Sequence, residues 1–178
     1  NLFFFFNLME ISLDEIKESE SISISRWKSD KHLSENIMSV YSETSVIEAK
    51  KWIKKCNSDC SQKLFGIFIG SKNDSKLIGI TRLMYIDSIS LNCEFGIYIG
   101  ESEFTGKGLG KKATQKTLDI AFNQMNMNKV YLKVNTSNVK AINLYNQIGF
   151  INEGLLKKHY FRNQLFYDIK LMAIEKNK

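Results

Sequence analysis

The spacing of apolar and polar positions changes along the chain, and these changes predict its helices and strands. Residues 8–13 alternate, which predicts a first strand, whereas residues 14–43 are mixed and predict one or two short helices. Residues 45–56 predict a helix, because Ser45 and Glu48 form a capping box ahead of apolar residues at helical spacing. The buried positions expected between the first strand and this helix are Ile22, Ile24, Trp27, Leu33, Ile37 and Val40.

Three strands are predicted next, at 64–70, 77–87 and 91–100, and residues 72–75 form a hairpin turn between the first two. Side chains alternate between the two faces of a strand. One face of the third strand is therefore expected to carry Cys93, Phe95, Ile97 and Ile99. The other face carries Glu94, Gly96 and Tyr98.

Strands and helices alternate from the glycine run at 106–110 onwards. The predicted elements are a helix to about Met125, a strand at 130–134, a helix from Asn138 to Ile148, and strands at 150–160 and 166–175 joined around 162–164. Gly149 is typical of a helix end. This order predicts an α+β fold with a mixed, mainly antiparallel twisted sheet of about seven strands and about four flanking helices.

Length and hydropathy indicate one domain over residues 1–178, since 178 residues with 43 % hydrophobic side chains can bury a core. The longest apolar run, at 2–6, is too short to span a membrane and lacks the features of a signal peptide. We interpret residues 1–8 as a buried strand, a disordered leader or residues foreign to the natural chain, which would then start at Met9.

The net charge of +6 comes from scattered lysines without a basic arm, so we expect an anionic small ligand and no nucleic-acid partner. Three cysteines, an odd and sparse set, predict reduced thiols and a cytoplasmic location. Cys56 and Cys60 lack a second ligand pair, and His32 and His159 fit no zinc pattern, so no metal is expected.

The run Gly106-Lys107-Gly108-Leu109-Gly110 precedes a helix, and helix N-terminal N–H groups together with glycines form a cradle for phosphate. The spacing fits neither the phosphate-binding loop of NTPases nor a dinucleotide fingerprint. Taken by itself, the run is also compatible with a plain structural turn.

Several further motifs occur around the glycine run in a fixed order. The strand with Glu94, the glycine run, an amphipathic helix, a strand, and the series Asn138, Ala141, Tyr145, Gly149 and Phe150 resemble the GNAT superfamily of N-acetyltransferases. The resemblance covers residues 63–175 and is sharpest over 94–150, which it implies is the acetyl-CoA-binding core. Its tail, at 153–156, 162–168 and Met172, is similar to the branch with ribosomal-protein N-terminal, spermidine and nucleotide-amino-sugar acetyltransferases.

The resemblance implies transfer of acetyl from acetyl-CoA to an amine. Glu94 is implied as the base, directly or through water, and an apolar strand would make its carboxylate a stronger base. Tyr145 is implied as the acid near the departing sulfur. A structural glutamate and a buried aromatic residue remain the alternatives for these two positions.

The resemblance also implies the residues that bind acetyl-CoA. Main-chain groups at Ile97, Tyr98 and Ile99 are expected to hold the thioester oxygen and the pantetheine arm. The expected pyrophosphate contacts are the main chain of Gly106, Lys107, Gly108, Leu109 and Gly110. Thr105 stands where the family usually carries Arg or Gln, so it offers at most a hydroxyl. Asn138 is either a cofactor contact or a helix N-cap.

The acceptor is expected to be the primary amine of a small molecule, such as a nucleotide-linked amino sugar. A protein N-terminus and spermidine are the alternatives, and a non-catalytic acyl-CoA-binding module is the alternative of another class. The last hairpin, with His159, Tyr160, Phe161 and Tyr167, is expected to shape the acceptor pocket or a homodimer contact, and ordinary strand aromatics are the alternative for these residues. Asp168 is expected either to bind the amine or to form a strand-end hydrogen bond.

Overall fold

The computed structural model describes residues 10–36, 42–71 and 74–176. Some predicted features therefore lie outside the described residues: the leader at 1–8, the start at Met9, the first positions of the 8–13 strand, Ile37, Val40 and the turn residues 72–73.

The described residues form seven strands and five α-helices. The strands are β1 (Ile11–Glu15), β2 (Lys63–Ser71), β3 (Asp74–Asp87), β4 (Asn92–Ile99), β5 (Lys129–Asn135), β6 (Ile151–Arg162) and β7 (Leu165–Glu175). The helices are α1 (Ser21–Lys28), α2 (Lys31–Asn36), α3 (Val46–Ser58), α4 (Leu109–Asp119) and α5 (Val139–Ile148). The predicted α+β class and the mixed seven-strand sheet are thus confirmed.

All seven strands form one sheet in the order β1-β2-β3-β4-β5-β7-β6. Every pairing is antiparallel except that of β4 with β5. That single parallel pairing follows from the long crossover through α4, because parallel neighbours cannot be joined by a tight turn. The crossover places the glycine run of the sequence at the end of β4.

Helices cover both faces of the sheet. On one face α1 and α3 enclose a core with Ile80 of β3, and Tyr98 of β4 packs at its margin. We call this the acceptor face, because Glu94 shares it with Tyr98 by alternation. On the other face α4 and α5 pack against Phe95 and Val130. Successive side chains along each central strand therefore point alternately into the two cores.

Local sequence signals set several helix ends as predicted. Ser45 accepts a hydrogen bond from the Glu48 N–H while the Glu48 carboxylate accepts one from the Ser45 N–H, which completes the capping box of α3. The Asn138 side chain caps α5, and Gly149 ends it in a left-handed conformation. After α4 the chain continues as a π-helical turn over Ile120–Gln124, so the predicted end near Met125 is correct.

The front of the chain holds two short helices, α1 and α2, which brings the described helices to five instead of about four. The tip of the last hairpin reaches α2, since the Arg162 guanidinium donates to the Ser34 carbonyl and, at 2.7 Å, to its hydroxyl. The predicted buried points Ile24 and Trp27 lie in the core, but Ile22 is 68 % exposed. The buried face of α1 consists of Ser21, Ile24 and Trp27, spaced three residues apart, and Ile22 falls outside it.

The buried thiol of Cys93 makes the stability of the fold sensitive to alkaline pH. Burial raises the pKa of Cys93 from 9.0 to about 11. Because the folded chain holds this proton more tightly, the contribution is complete below pH 9 and is lost as pH rises through 11. We expect the free energy of unfolding to fall by about 2 kcal/mol more in the wild type than in Cys93→Ala between pH 8 and pH 11.

Urea unfolding at the two pH values measures this difference. Cys60→Ala is the control, because Cys60 is exposed and its loss should leave the pH dependence unchanged. Equal pH dependence in the wild type and in Cys93→Ala would contradict the assignment.

Candidate active site

The two central strands part at the middle of the sheet. Strands β4 and β5 pair only over Asn92–Glu94 and Lys129–Tyr131. Beyond Glu94, β4 continues to pair with β3 up to Ile99, and β5 continues with β7 up to Asn135. A gap therefore opens between β4 and β5, and its apex is at Glu94.

Main-chain groups of β4 line this gap. The Gly100 N–H donates to the Ile78 carbonyl of β3 at 2.8 Å. Because alternate residues of an antiparallel strand point their N–H and C=O groups to opposite sides, Tyr98 directs its groups to β3 as well. Those of Ile97 and Ile99 point to the gap. The structure thus places Ile97 and Ile99 for a main-chain contact with an extended ligand, and Tyr98 faces away.

The glycine loop lies at the open end of the gap, ahead of α4. Gly106 and Gly108 have φ of +73° and +77°, a left-handed conformation that favours glycine. A Cβ at Gly108 would meet nothing within 4 Å, so the loop surface there is open. The N–H groups of the first turn of α4, from Leu109 onwards, have no partner inside the helix. These features fit a pyrophosphate cradle.

Side chains around the loop add positive charge. A Cβ on Gly106 would lie 3.8 Å from Nζ of Lys140, which extends from the first turn of α5. Lys107 stands within the loop, over the Phe104 ring. Thr105 instead donates its hydroxyl to the Ser102 carbonyl at 2.8 Å, which ends a short 3-10 turn. Lys140 is therefore a better placed side chain for phosphate than Thr105.

The apex of the gap carries an ion pair between the two strands. Oε2 of Glu94 lies 2.8 Å from Nζ of Lys133, and the Glu94 side chain is 13 % exposed. This hydrogen bond raises the pKa of Lys133. The expected apolar surroundings of Glu94 are therefore wrong, because β5 brings a cation to the carboxylate. The Glu94 carboxylate is therefore positioned to bind a positively charged group.

Tyr145 lies on the opposite side of β4 from Glu94. Its ring packs edge-on against Phe95 at 6.4 Å and beside Phe150 at 5.5 Å. Burial raises the pKa of Tyr145 to about 12, so the phenol keeps its proton at neutral pH. Glu94 and Tyr145 therefore lie on the two opposite faces of the sheet beside β4.

The other predicted residues lie on the last hairpin, formed by β6 and β7, where their contacts are mostly within the hairpin. Oδ1 of Asp168 accepts from the Lys158 N–H at 2.7 Å, so the strand-end hydrogen bond is the interpretation that the structure supports. The rings of Tyr160 and Tyr167 pack together, as do those of Phe161 and Phe166, and the latter two are more than half exposed. An acceptor pocket or a homodimer contact at this hairpin stays a prediction.

The family model described as the acetyltransferase (GNAT) domain matches residues 11–151. The chain belongs to the GNAT family of acetyltransferases. Spermidine N(1)-acetyltransferase of Vibrio cholerae is 35 % identical over 146 residues, which cover 80 % of this chain and 82 % of that protein. The crystal structure of the Vibrio cholerae spermidine N-acetyltransferase with CoA and spermine matches with a TM-score of 0.85 at 28 % identity, over 93 % of this chain and 95 % of that one.

A dodecameric structure of spermidine N-acetyltransferase from Vibrio cholerae matches with a TM-score of 0.77 at 30 % identity, over 93 % of each chain. Membership in this family makes the chain an acetyl-CoA-dependent N-acetyltransferase, as the sequence predicts. The gap and the glycine loop fit the elongated pantetheine and pyrophosphate parts of acetyl-CoA. The individual roles of Glu94, Tyr145 and the loop residues stay predictions.

Two side chains beside the candidate residues were missed in the sequence. Lys133 alternates with buried residues on β5, but its pairing with Glu94 depends on the register between β4 and β5. Lys140 looks like an ordinary solvated lysine of α5, and only the fold brings it to the loop. Among the described residues, no group of three side chains could hold a metal, and no helix is long and apolar enough to cross a membrane.

The open left-handed position at Gly108 predicts a variant that weakens acetyl-CoA binding. Gly108→Val adds a branched side chain where φ is +77°, at a cost of about 1–2 kcal/mol, and fills the cradle. We expect KM for acetyl-CoA to rise by about tenfold. Steady-state kinetics measures this, with Gly154→Val of β6 as the control, since a Cβ there also meets open space. An unchanged KM would place the pyrophosphate elsewhere.

Proposed function

We propose that this acetyltransferase transfers acetyl directly to the primary amine of a small molecule. Glu94 accepts a proton from the amine, whose nitrogen then attacks the thioester carbonyl of acetyl-CoA. The resulting tetrahedral intermediate loses a second proton from its nitrogen to solvent as the C–S bond breaks, and Tyr145 gives its proton to the departing thiolate and regains one from solvent. The observation that carries the proposal is the gap that opens beside β4 at Glu94, with Tyr145 on the other face of this strand.

The ion pair at the apex supports Glu94 as the group that binds the ammonium of the acceptor. An acceptor amine arrives as an ammonium, and the Glu94 carboxylate already holds the Lys133 ammonium at 2.8 Å. A substrate ammonium can take up the same hydrogen bond. Tyr145 supports the complementary role, because a phenol with a pKa of about 12 is protonated whenever the thiolate leaves.

The charge of the acceptor separates two candidate classes. The names of the relatives support a polyamine such as spermidine, the alternative in the sequence analysis, over the nucleotide-linked amino sugar of its main interpretation. A specific observation favours the second class: Lys28 and Arg82 lie on the acceptor face, and two cations there disfavour a polycation. Both classes are small primary amines, so the proposed reaction is common to them.

Release of CoA from acetyl-CoA, followed with a thiol reagent, tests the proposal. The acceptor panel holds spermidine, a nucleotide-linked amino sugar and a peptide with a free N-terminus. We expect turnover with a small molecule. Turnover with the peptide alone would replace the proposal by protein acetylation, and acetyl-CoA binding without turnover on a wide amine panel would favour a non-catalytic module.

A further inference from the structure

A cationic cluster lies on the acceptor face, between α1, α3 and β3. Nζ of Lys28 lies 3.9 Å from the centre of the Trp52 ring, and the Arg82 guanidinium lies 5.5 Å from the same centre. All three side chains are half-buried, so they remain within reach of a ligand. Cation–π contact stabilises each cation on Trp52 but does not neutralise it.

The cluster lacks an anion among the described residues. No described carboxylate forms an ion pair with Lys28 or Arg82. Arg82 donates to the Gln62 side chain, and Asp59 is connected to it only through that amide. Nε of Arg82 is buried without a hydrogen-bond partner. A buried donor that lacks a partner is costly, which points to a group that the protein alone does not supply.

The charge of the cluster agrees with this geometry. Burial, with a smaller contribution from Arg82, lowers the pKa of Lys28. Two half-buried cations that repel each other would both be stabilised by a bound anion. The thiol of Cys56 also faces the cluster, but burial raises its pKa and it stays neutral at pH 7.

The register of the sheet relates this cluster to the apex of the gap. Arg82 on β3 pairs with Gly96, and Met84 pairs with Glu94, in an antiparallel ladder. Arg82 and Glu94 are therefore diagonal neighbours on one face, with Cβ atoms about 7–8 Å apart. An acceptor molecule that places its amine at Glu94 and an anionic group at Arg82 would need several bonds between the two groups.

We infer that the acceptor amine also carries an anionic group, a carboxylate or a phosphate, which binds Arg82 and Lys28 beside Trp52. The inference rests on the proposed function, since it places the amine at Glu94. The acceptor class is thus defined by two charges, an amine and an anion. These are separated by about the distance between the Glu94 and Arg82 side chains. A polyamine would instead bring a second ammonium to two cations that already repel it.

Four acceptors with the same six-carbon chain test the inference. They are 6-aminohexanoate, 6-aminohexyl phosphate, 6-aminohexanamide as the neutral match, and 1,6-diaminohexane as the dication, with spermidine added. We expect kcat/KM to be highest for one of the anionic acceptors, and the comparison of carboxylate with phosphate identifies the anion. A higher kcat/KM for diaminohexane and spermidine than for both anionic acceptors would overturn the inference and leave the proposed function intact.

Substitutions in the cluster separate binding from chemistry. Arg82→Gln should raise KM for the anionic acceptor by roughly 10- to 100-fold, because a charged hydrogen bond is lost, while KM for acetyl-CoA stays unchanged. Arg82→Glu should reverse the preference towards diaminohexane. Lys50→Gln on exposed α3 surface is the matched control. Equal KM values for wild type, Arg82→Gln and Lys50→Gln would contradict the anion site.

A binding measurement covers acceptors that are poor substrates. Titration of the protein with 6-aminohexyl phosphate and with 6-aminohexanoate, followed by tryptophan fluorescence, should show saturable binding that Arg82→Gln abolishes. Absence of Arg82-dependent binding of both probes would overturn the inference whatever the turnover shows. Binding that depends on Arg82 without turnover of any amine would instead overturn the proposed function.

Discussion

Replacing Tyr145 by phenylalanine is expected to lower kcat by about 100-fold, with KM for acetyl-CoA nearly unchanged. The substitution removes only the hydroxyl and keeps the ring that packs on Phe95 and Phe150. The departing thiolate then has to take its proton from water. Burial holds the pKa of Tyr145 near 12, so wild-type activity should show no loss from deprotonation of this phenol below about pH 11. Steady-state kinetics against pH measures both effects.

Ser58→Ala is the control, since it removes an exposed hydroxyl at the end of α3 that donates only to the Lys55 carbonyl. Its kcat should equal that of the wild type. If Tyr145→Phe also kept the wild-type kcat, with unfolding unchanged, another group or solvent would be the acid.

Replacing Glu94 by glutamine is expected to lower kcat by a factor on the order of 100 at neutral pH, because no carboxylate remains to accept the proton of the amine. Glutamine keeps the shape and can still accept a hydrogen bond from Lys133. The deficit should shrink at high pH, where the acceptor is already neutral in solution. This recovery separates loss of a base from loss of structure.

Glu153→Gln supplies the comparison. Glu153 of β6 pairs with Lys129 of β5 at 2.6 Å, so this lysine–carboxylate pair spans the intervening strand β7. Its loss should leave both kcat and the pH profile unchanged. A Glu94→Gln enzyme with the wild-type pH profile would show that amine deprotonation occurs without this carboxylate.

The sequence was sufficient wherever the signal is local. The capping box at Ser45, the N-cap at Asn138 and the left-handed Gly149 depend on residues three or four positions apart. The faces of β4 follow from alternation alone, which placed Glu94 opposite Cys93 correctly. The glycine loop was found because its spacing and the motifs after it occur in fixed order.

The environment of Glu94 could not be predicted in the same way. Its partner Lys133 is 39 residues away, and their contact depends on a three-residue parallel pairing that no local pattern encodes. Arg82 likewise looks like an ordinary strand residue until α3 packs Trp52 against it. Charge partners across a sheet therefore decide the chemistry of the site after the fold itself is clear.

The bond between Arg162 and Ser34 has a consequence for engineering. It joins two segments that are 128 residues apart in sequence, α2 and the tip of the last hairpin. A chimera that imports one segment from a relative would leave the guanidinium or its acceptor without a match. The two segments should therefore be transplanted as a pair, because a single contiguous exchange should keep the fold but lose the Arg162–Ser34 contact.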